Sequence, residues 1–182
     1  MKVRQESDSI GVLEVPAGAY YGVQTLRAHE NFNISGNAMS EEFVKNIVRI
    51  KKAAARVNAM HGYVPKEIAQ AIVSACDEAL EGKFKDHFIT DALQGGAGTS
   101  VNMNVNEVIA NRATELLGGT LGEYLCHPND HVNCSQSTND VIPTAGKLTA
   151  IELSKELLQY IPDELILDNV KYTQFVPPFD LR

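Results

Sequence analysis

Two polar segments carry the residues best suited to chemistry. The first is Gln94-Gly95-Gly96-Ala97-Gly98-Thr99-Ser100, running into Val101-Asn102-Met103-Asn104-Val105-Asn106-Glu107. The second is His127-Pro128-Asn129-Asp130-His131-Val132-Asn133, running into Ser135-Gln136-Ser137-Thr138-Asn139-Asp140. Each ends in hydroxyl residues where a helix is expected to begin. The first turn of a helix has unpaired N–H groups and a positive partial charge. Glycines before it let a ligand approach the backbone, and the Thr and Ser hydroxyls add donors. Such a junction suits a carboxylate or a phosphate. Ser and Thr at a helix start also serve as plain N-caps, and either junction taken alone reads that way first. Two of them in one short chain, both flanked by Asn, shift the reading toward a ligand. The first segment lacks the Lys of the phosphate-binding loop and does not match the dinucleotide fingerprint. Asn102 and Asn106 are four apart and share a helix face, which is expected to line a polar cavity.

A second constellation is Cys126, His127, His131 and Cys134. These are zinc-ligand types, but no CxxC pair and no second cluster accompany them. A Cys-His nucleophile pair is the other chemistry open to them, although sequence neighbours seldom meet in that geometry. No metal site is assigned on this basis.

These segments need helices to hold them, and the apolar spacing supplies four. One begins after Ser40, with Glu41 and Glu42 at its positive end, carries Phe43, Val44, Ile47, Val48, Ala54 and Val57, and stops at Gly62. The next runs from Pro65 to Gly82 on Ile68, Ile72, Ala75, Cys76 and Ala79. A third covers about residues 99–117, with Val101, Val105, Val108, Ile109, Ala113 and Leu116 on one stripe and Gly118-Gly119 as its stop. The fourth starts near Thr138 and reaches about Gln159. Residues 1–37 read as an irregular arm punctuated by glycines, with a small hairpin near residues 10–15. Residues 160–182, broken by Pro162, Pro177 and Pro178, read as an irregular tail. The fold class is mostly α.

The 182 residues are 44% hydrophobic and 21% charged, which is ordinary globular composition. A net charge of −7 excludes the basic footprint of non-specific nucleic-acid binding, and no polybasic stretch offers itself to a membrane. Three cysteines are too few for a disulfide scaffold and read as reduced thiols. With no apolar leader at the start, the expected compartment is the cytoplasm.

The two polar segments resemble two motifs of the aspartase/fumarase superfamily. The arm over residues 15–36, with Pro16, Tyr20-Tyr21-Gly22, Gln24-Thr25, Arg27 and Glu30-Asn31-Phe32, is similar to that family's N-terminal arm. The likeness covers about residues 3–158, with three motifs in the family's order. Gly95-Gly96-Ala97-Gly98-Thr99-Ser100, Ser137-Thr138-Asn139-Asp140 and Tyr21 resemble the aspartate ammonia-lyase branch more than the class II fumarases. The resemblance implies reversible elimination of ammonia from L-aspartate to give fumarate, through an aci-carboxylate, with no cofactor. It implies that Thr99, Ser137 and Thr138 bind the carboxylate that gathers charge. Asn139 would hold the amino group or the other carboxylate, and Asn102 would join the polar lining. The stretch 127–130 resembles a second anion-binding loop of fumarases.

The same resemblance implies residues 1–137 as an N-terminal lyase domain and 138–159 as the start of a long-helix bundle. It implies a homotetramer in the complete family member, with each site shared between subunits. Two further family motifs do not occur in this sequence: the Thr-His motif, and the G-S-S-x-M-P-x-K-x-N-P signature that carries the base serine and a substrate-binding lysine. His29, His61 and His87 do not fall in either. The chain is therefore expected to be truncated, to lack the base, and to be inactive alone. Fumarate hydratase, a non-catalytic dicarboxylate-binding or associating fragment, and a zinc module are the rival readings.

Overall fold

Five α-helices, a two-stranded hairpin and two short helical turns, Lys85–His87 and Pro128–Val132, make up the computed structural model, which describes residues 2–160. The expected tail lies outside the described residues. The hairpin pairs β1 (Val3–Ser7) with β2 (Val12–Pro16), antiparallel, in the register Val3 to Pro16 and Ser7 to Val12. Helix α1 (Val23–Asn31) follows, then α2 (Glu41–Met60), α3 (Lys66–Leu80), α4 (Thr99–Leu116) and α5 (Thr138–Leu158). A mostly helical fold is what the spacing predicts. Among the described residues, no helix is long and apolar enough to cross a membrane.

Helices α2 to α5 begin and end close to where capping and glycine signals place them. Two residues of the expected apolar stripes, Val57 and Leu116, instead face outward near the C-terminal ends of α2 and α4. The arm differs more. It is not irregular, since it holds the hairpin and α1. Its glycines mark junctions between short elements instead of preventing them.

Arg4 shows how the arm is held. Its guanidinium donates to the carbonyls of Pro16, Ala17, Ala19 and Tyr21 and pairs with Glu6. The planar fork of arginine suits such a many-acceptor seat. Helix α1 has no side-chain cap of its own. Its first amides are taken by carboxylates from elsewhere. Glu107 of α4 accepts from the amides of Gly22, Gln24 and Thr25 at 2.8, 3.0 and 3.0 Å and from the Thr25 hydroxyl at 2.6 Å. Glu6 accepts from the Val23 amide at 3.0 Å and the Tyr124 hydroxyl at 2.8 Å. Burial pushes the Glu107 carboxyl above its ordinary range, and the four donors oppose that shift.

The core lies where α2, α3 and α4 pack together, around Ile47, Val48, Ile72, Cys76, Val105 and Ile109. Helix α4 is buried on nearly every side, polar residues included. Each buried polar group then needs a partner. Asn104 donates to the His87 carbonyl and accepts from the Ile89 amide. Asn111 donates to the Tyr20 carbonyl and accepts from the Gly122 amide. Thr114 accepts from the Cys126 amide. The polar residues of α4 thus tie the arm and the surrounding loops to the core.

The contacts divide the chain into two units, one ending at Thr149 and the other starting at Ala150. The described part of the second unit holds the last turns of α5, on which Ile151, Leu153 and Leu157 are exposed.

Candidate active site

Helix α4 starts at Thr99, preceded by the glycine loop. Gln94 spans that loop. Its Nε2 donates to the Asp91 carbonyl at 2.9 Å, and its Oε1 accepts from the Val101 amide at 2.7 Å. This satisfies one first-turn amide and leaves those of Thr99 and Ser100 without a helix partner. Gly98 has φ +88°, a left-handed conformation that favours glycine. A Cβ there would also stand 2.9 Å from Cγ1 of Ile142 on α5. The start of α4 therefore packs directly on the first turns of α5. A cavity of about 310 Å³ opens beside this contact, lined by Gln94, Gly96, Gly98, Val101 and Ile142 among others.

The start of α5 has its own cap. Ser137 Oγ accepts from the Asn139 amide at 3.2 Å, and the Asp140 carboxylate accepts from the Ser137 amide at 3.2 Å. This reciprocal pair resembles a capping box. Ser137 is thus in use as an N-cap, the plainer of its two expected roles, while remaining exposed at the helix start. Pro143 inside α5 has no N–H, so the carbonyl of Asn139 is released from the helix ladder. Asn139 itself is exposed.

Asn102 joins the two junctions. Its Nδ2 lies 3.4 Å from Thr138 Oγ1 and 3.2 Å from Asn133 Oδ1. Asn106 Nδ2 reaches the same Asn133 oxygen at 3.3 Å. The two asparagines do share a face, as expected. They are buried there in an amide cluster with Asn133. Thr99 sits one turn before Asn102 on α4 and is exposed. The fold therefore gathers Asn102 and Thr138 in contact, with Thr99, Ser137 and Asn139 on the two adjoining helix starts.

Residues 127–134 do not converge on a metal. The His127 amide donates to His131 Nδ1, and the Asp130 amide to His127 Nδ1. Among the described residues, no group of three or more His, Cys, Asp or Glu is placed to hold an ion. Cys126 is buried, and burial pushes its thiol up to about 12, so it carries no nucleophilic thiolate at neutral pH.

Comparison with known proteins bears on the same region. The family described as Lyase matches residues 11–167. An aspartate ammonia-lyase of a Bacillus species is 52% identical over 158 residues, which are 86% of this chain and 34% of that protein. A class II fumarate hydratase of Halobacterium salinarum is 54% identical over 149 residues, covering 82% of this chain and 32% of that protein. The chain belongs to the aspartase/fumarase superfamily. A solved fumarate lyase:delta crystallin of Brucella melitensis, 49% identical, superposes with a TM-score of 0.81 over 83% of this chain and 36% of its own. This superfamily chain thus spans about a third of the length of the curated relatives it matches. Relatives of both activities match it about equally.

The region also holds a lysine that the helical spacing of apolar residues does not single out. Lys51 of α2 is completely buried, and its Nζ donates to Asn133 Oδ1 at 2.7 Å. Burial pushes its ammonium down to about 7. The signal was present, since Lys51 falls four residues after Ile47 and four before Ala55, on the apolar stripe. A lysine on such a stripe is out of place unless it has a partner.

Asp91 anchors the first loop on the arm side. Its carboxylate accepts from the Ser35 hydroxyl and from the amides of Ile34, Ser35, Gly36 and Leu93. These donors, the Ser35 hydroxyl foremost, hold its carboxyl well below the usual range. A carboxylate with a depressed pKa stabilises the fold above its ordinary value of about 3.9, and that contribution disappears as the pH falls toward the folded value. Acid is therefore expected to free residues 34–36 before the core opens. Protection of the Ser35 and Gly36 amides against exchange, corrected for the intrinsic rate, should fall below about pH 4 in the native protein and lose that dependence in Asp91→Asn.

Proposed function

We propose that this chain is the carboxylate-binding part of an aspartate ammonia-lyase, which eliminates ammonia from L-aspartate reversibly to give fumarate. The observation that supports this most directly is the Asn102–Thr138 contact, which joins two hydroxyl-bearing helix starts, that of α4 with first-turn amides lacking a helix partner. Removal of a proton beside the side-chain carboxylate of aspartate places developing charge on that carboxylate. Donors already aimed at it lower the barrier, because they need no rearrangement as the charge forms. In this reading the Thr99 and Thr138 hydroxyls and the open first-turn amides of α4 are those donors. Ser137 contributes from its cap position, with its hydroxyl hydrogen turned outward. The Asn139 carbonyl released by Pro143 is an acceptor suited to the substrate's ammonium.

The base and a second carboxylate anchor belong, in this reading, to motifs not found among these 182 residues, so the chain alone is proposed to be inactive. In the complete enzyme the site would be shared between subunits of a homotetramer. A class II fumarate hydratase is the second reading, favoured by the 54% identity to the Halobacterium protein.

Fumarate formation from L-aspartate and from L-malate, followed by ultraviolet absorbance, separates these readings. With a complementing chain that carries the missing motifs, turnover of aspartate is expected. Turnover of malate alone would transfer the assignment to the hydratase. Turnover of aspartate by the 182-residue chain without a complement would overturn its proposed inactivity.

A further inference from the structure

Lys51 is the largest side chain in the described protein with no exposure. A buried cation usually faces a carboxylate. Its hydrogen bond here goes instead to a neutral amide, Asn133 Oδ1. That oxygen also receives Asn102 Nδ2 and Asn106 Nδ2, so three donors meet one atom with two lone pairs. Asn102 and Asn106 leave their own carbonyl oxygens buried and without a hydrogen bond. Such orphaned acceptors are costly. The two amides are thus oriented to suit Asn133, at the expense of their own pairing.

Asn133 in turn organises the turn that leads into α5. Its Nδ2 donates to the Gln136 carbonyl at 3.1 Å. Gln136 Nε2 returns to the carbonyls of Val132 and Cys134 at 2.9 and 3.1 Å. A second link is electrostatic: the charge that acts most on Lys51 is Asp140, whose carboxylate holds the Ser137 amide.

We propose that Lys51 is a positioning residue: through Asn133 and Asp140, its ammonium holds the 133–137 turn, and with it Ser137, Thr138 and Asn139, in the geometry that receives a substrate carboxylate. The proposal rests on the substrate-binding roles given above to those three residues. Lys51 touches no substrate. When it loses its proton, the attraction to Asp140 disappears and the bond to Asn133 becomes an ordinary neutral one, so the turn relaxes. The groups that face it are Asp140 from α5 and Cys76 from α3. His127 and His131 lie in the adjoining loop, and Lys52, its neighbour on α2, is paired with Asp77.

The test needs no substrate and uses the whole chain. Backbone amide shifts of residues 136–140 are followed by NMR across roughly pH 6 to 8, the interval that brackets the lowered Lys51 ammonium. The expected result is a transition centred near 7. It should vanish in Lys51→Met and persist in His127→Gln and in His131→Gln. A transition that survives Lys51→Met, or that only the histidine variants remove, overturns the proposal. So does a flat wild-type profile. Should Lys51→Met fail to fold, the wild-type Lys51 side-chain resonance decides instead. It must share its midpoint with the Ser137 and Thr138 amides, and different midpoints overturn the coupling. Failure of aspartate turnover would overturn the proposed function and leave this titration standing, so the two failures are distinguishable.

Discussion

Glu107→Ala is expected to destabilise the protein by about 4 kcal/mol, the range seen when one side of a buried, charge-assisted arrangement is removed. The carboxylate serves three amides and a hydroxyl at the start of α1, and alanine leaves all four donors in a space that water enters poorly. For a domain of this size, such a loss lowers the melting temperature by roughly 10 °C. Glu107→Gln tests the same point with volume nearly unchanged. One of its two ends becomes a donor facing donors, so it should recover little of the loss. Circular dichroism melts of the two variants against the native chain make the measurement. A loss below about 1 kcal/mol for Glu107→Ala would show that α1 stays in place through Val23 and its apolar neighbours alone.

The second large effect concerns Thr138. In an enzyme completed with the missing motifs, Thr138→Ala should lower kcat by on the order of a hundredfold, the loss typical of removing one donor from a developing oxyanion. Thr138→Ser keeps the hydroxyl and should retain most of the rate. The hydroxyl lies 3.4 Å from Asn102 Nδ2, which can hold it as an acceptor while its hydrogen points toward the substrate. A twofold change for alanine would remove Thr138 from the charge-stabilising group and leave it as a first-turn residue with no role in the rate.

Much of this was legible in the sequence because it is local. Helices α2 to α5 are specified by apolar residues three and four apart and by nearby stop signals, so their bounds could be read to within a few residues. The hydroxyl-rich helix starts were readable for the same reason. The arm was not. The first amides of α1 are satisfied by Glu107, more than eighty residues later in the chain, and by Glu6 on a strand. No local pattern announces a cap that arrives from another element. The asparagines of α4 stand out in the sequence, but the amide cluster that they form does not. Their partner, Asn133, is fixed only by the tertiary approach of the turn before α5. Lys51 stands within an apolar stripe, and the hydrophobic members alone define that stripe's period, so the lysine does not announce itself.

The seat of α1 also dictates an order of events. The helix is short, and a segment of nine residues is marginal in isolation. Its first turn is completed only when Glu107 arrives, after a separation of 82 to 85 residues. Closing so long a loop is slow compared with forming α2 against α3, whose partners are near in sequence. The arm leaves the ribosome before the helices that follow it, yet its own helix can be completed only after α4 has been made and packed. Until then its apolar residues Val15, Ala19 and Val23 have only their arm neighbours Leu13, Tyr21 and Leu26 to pack against, beside a helix start that still lacks its carboxylate.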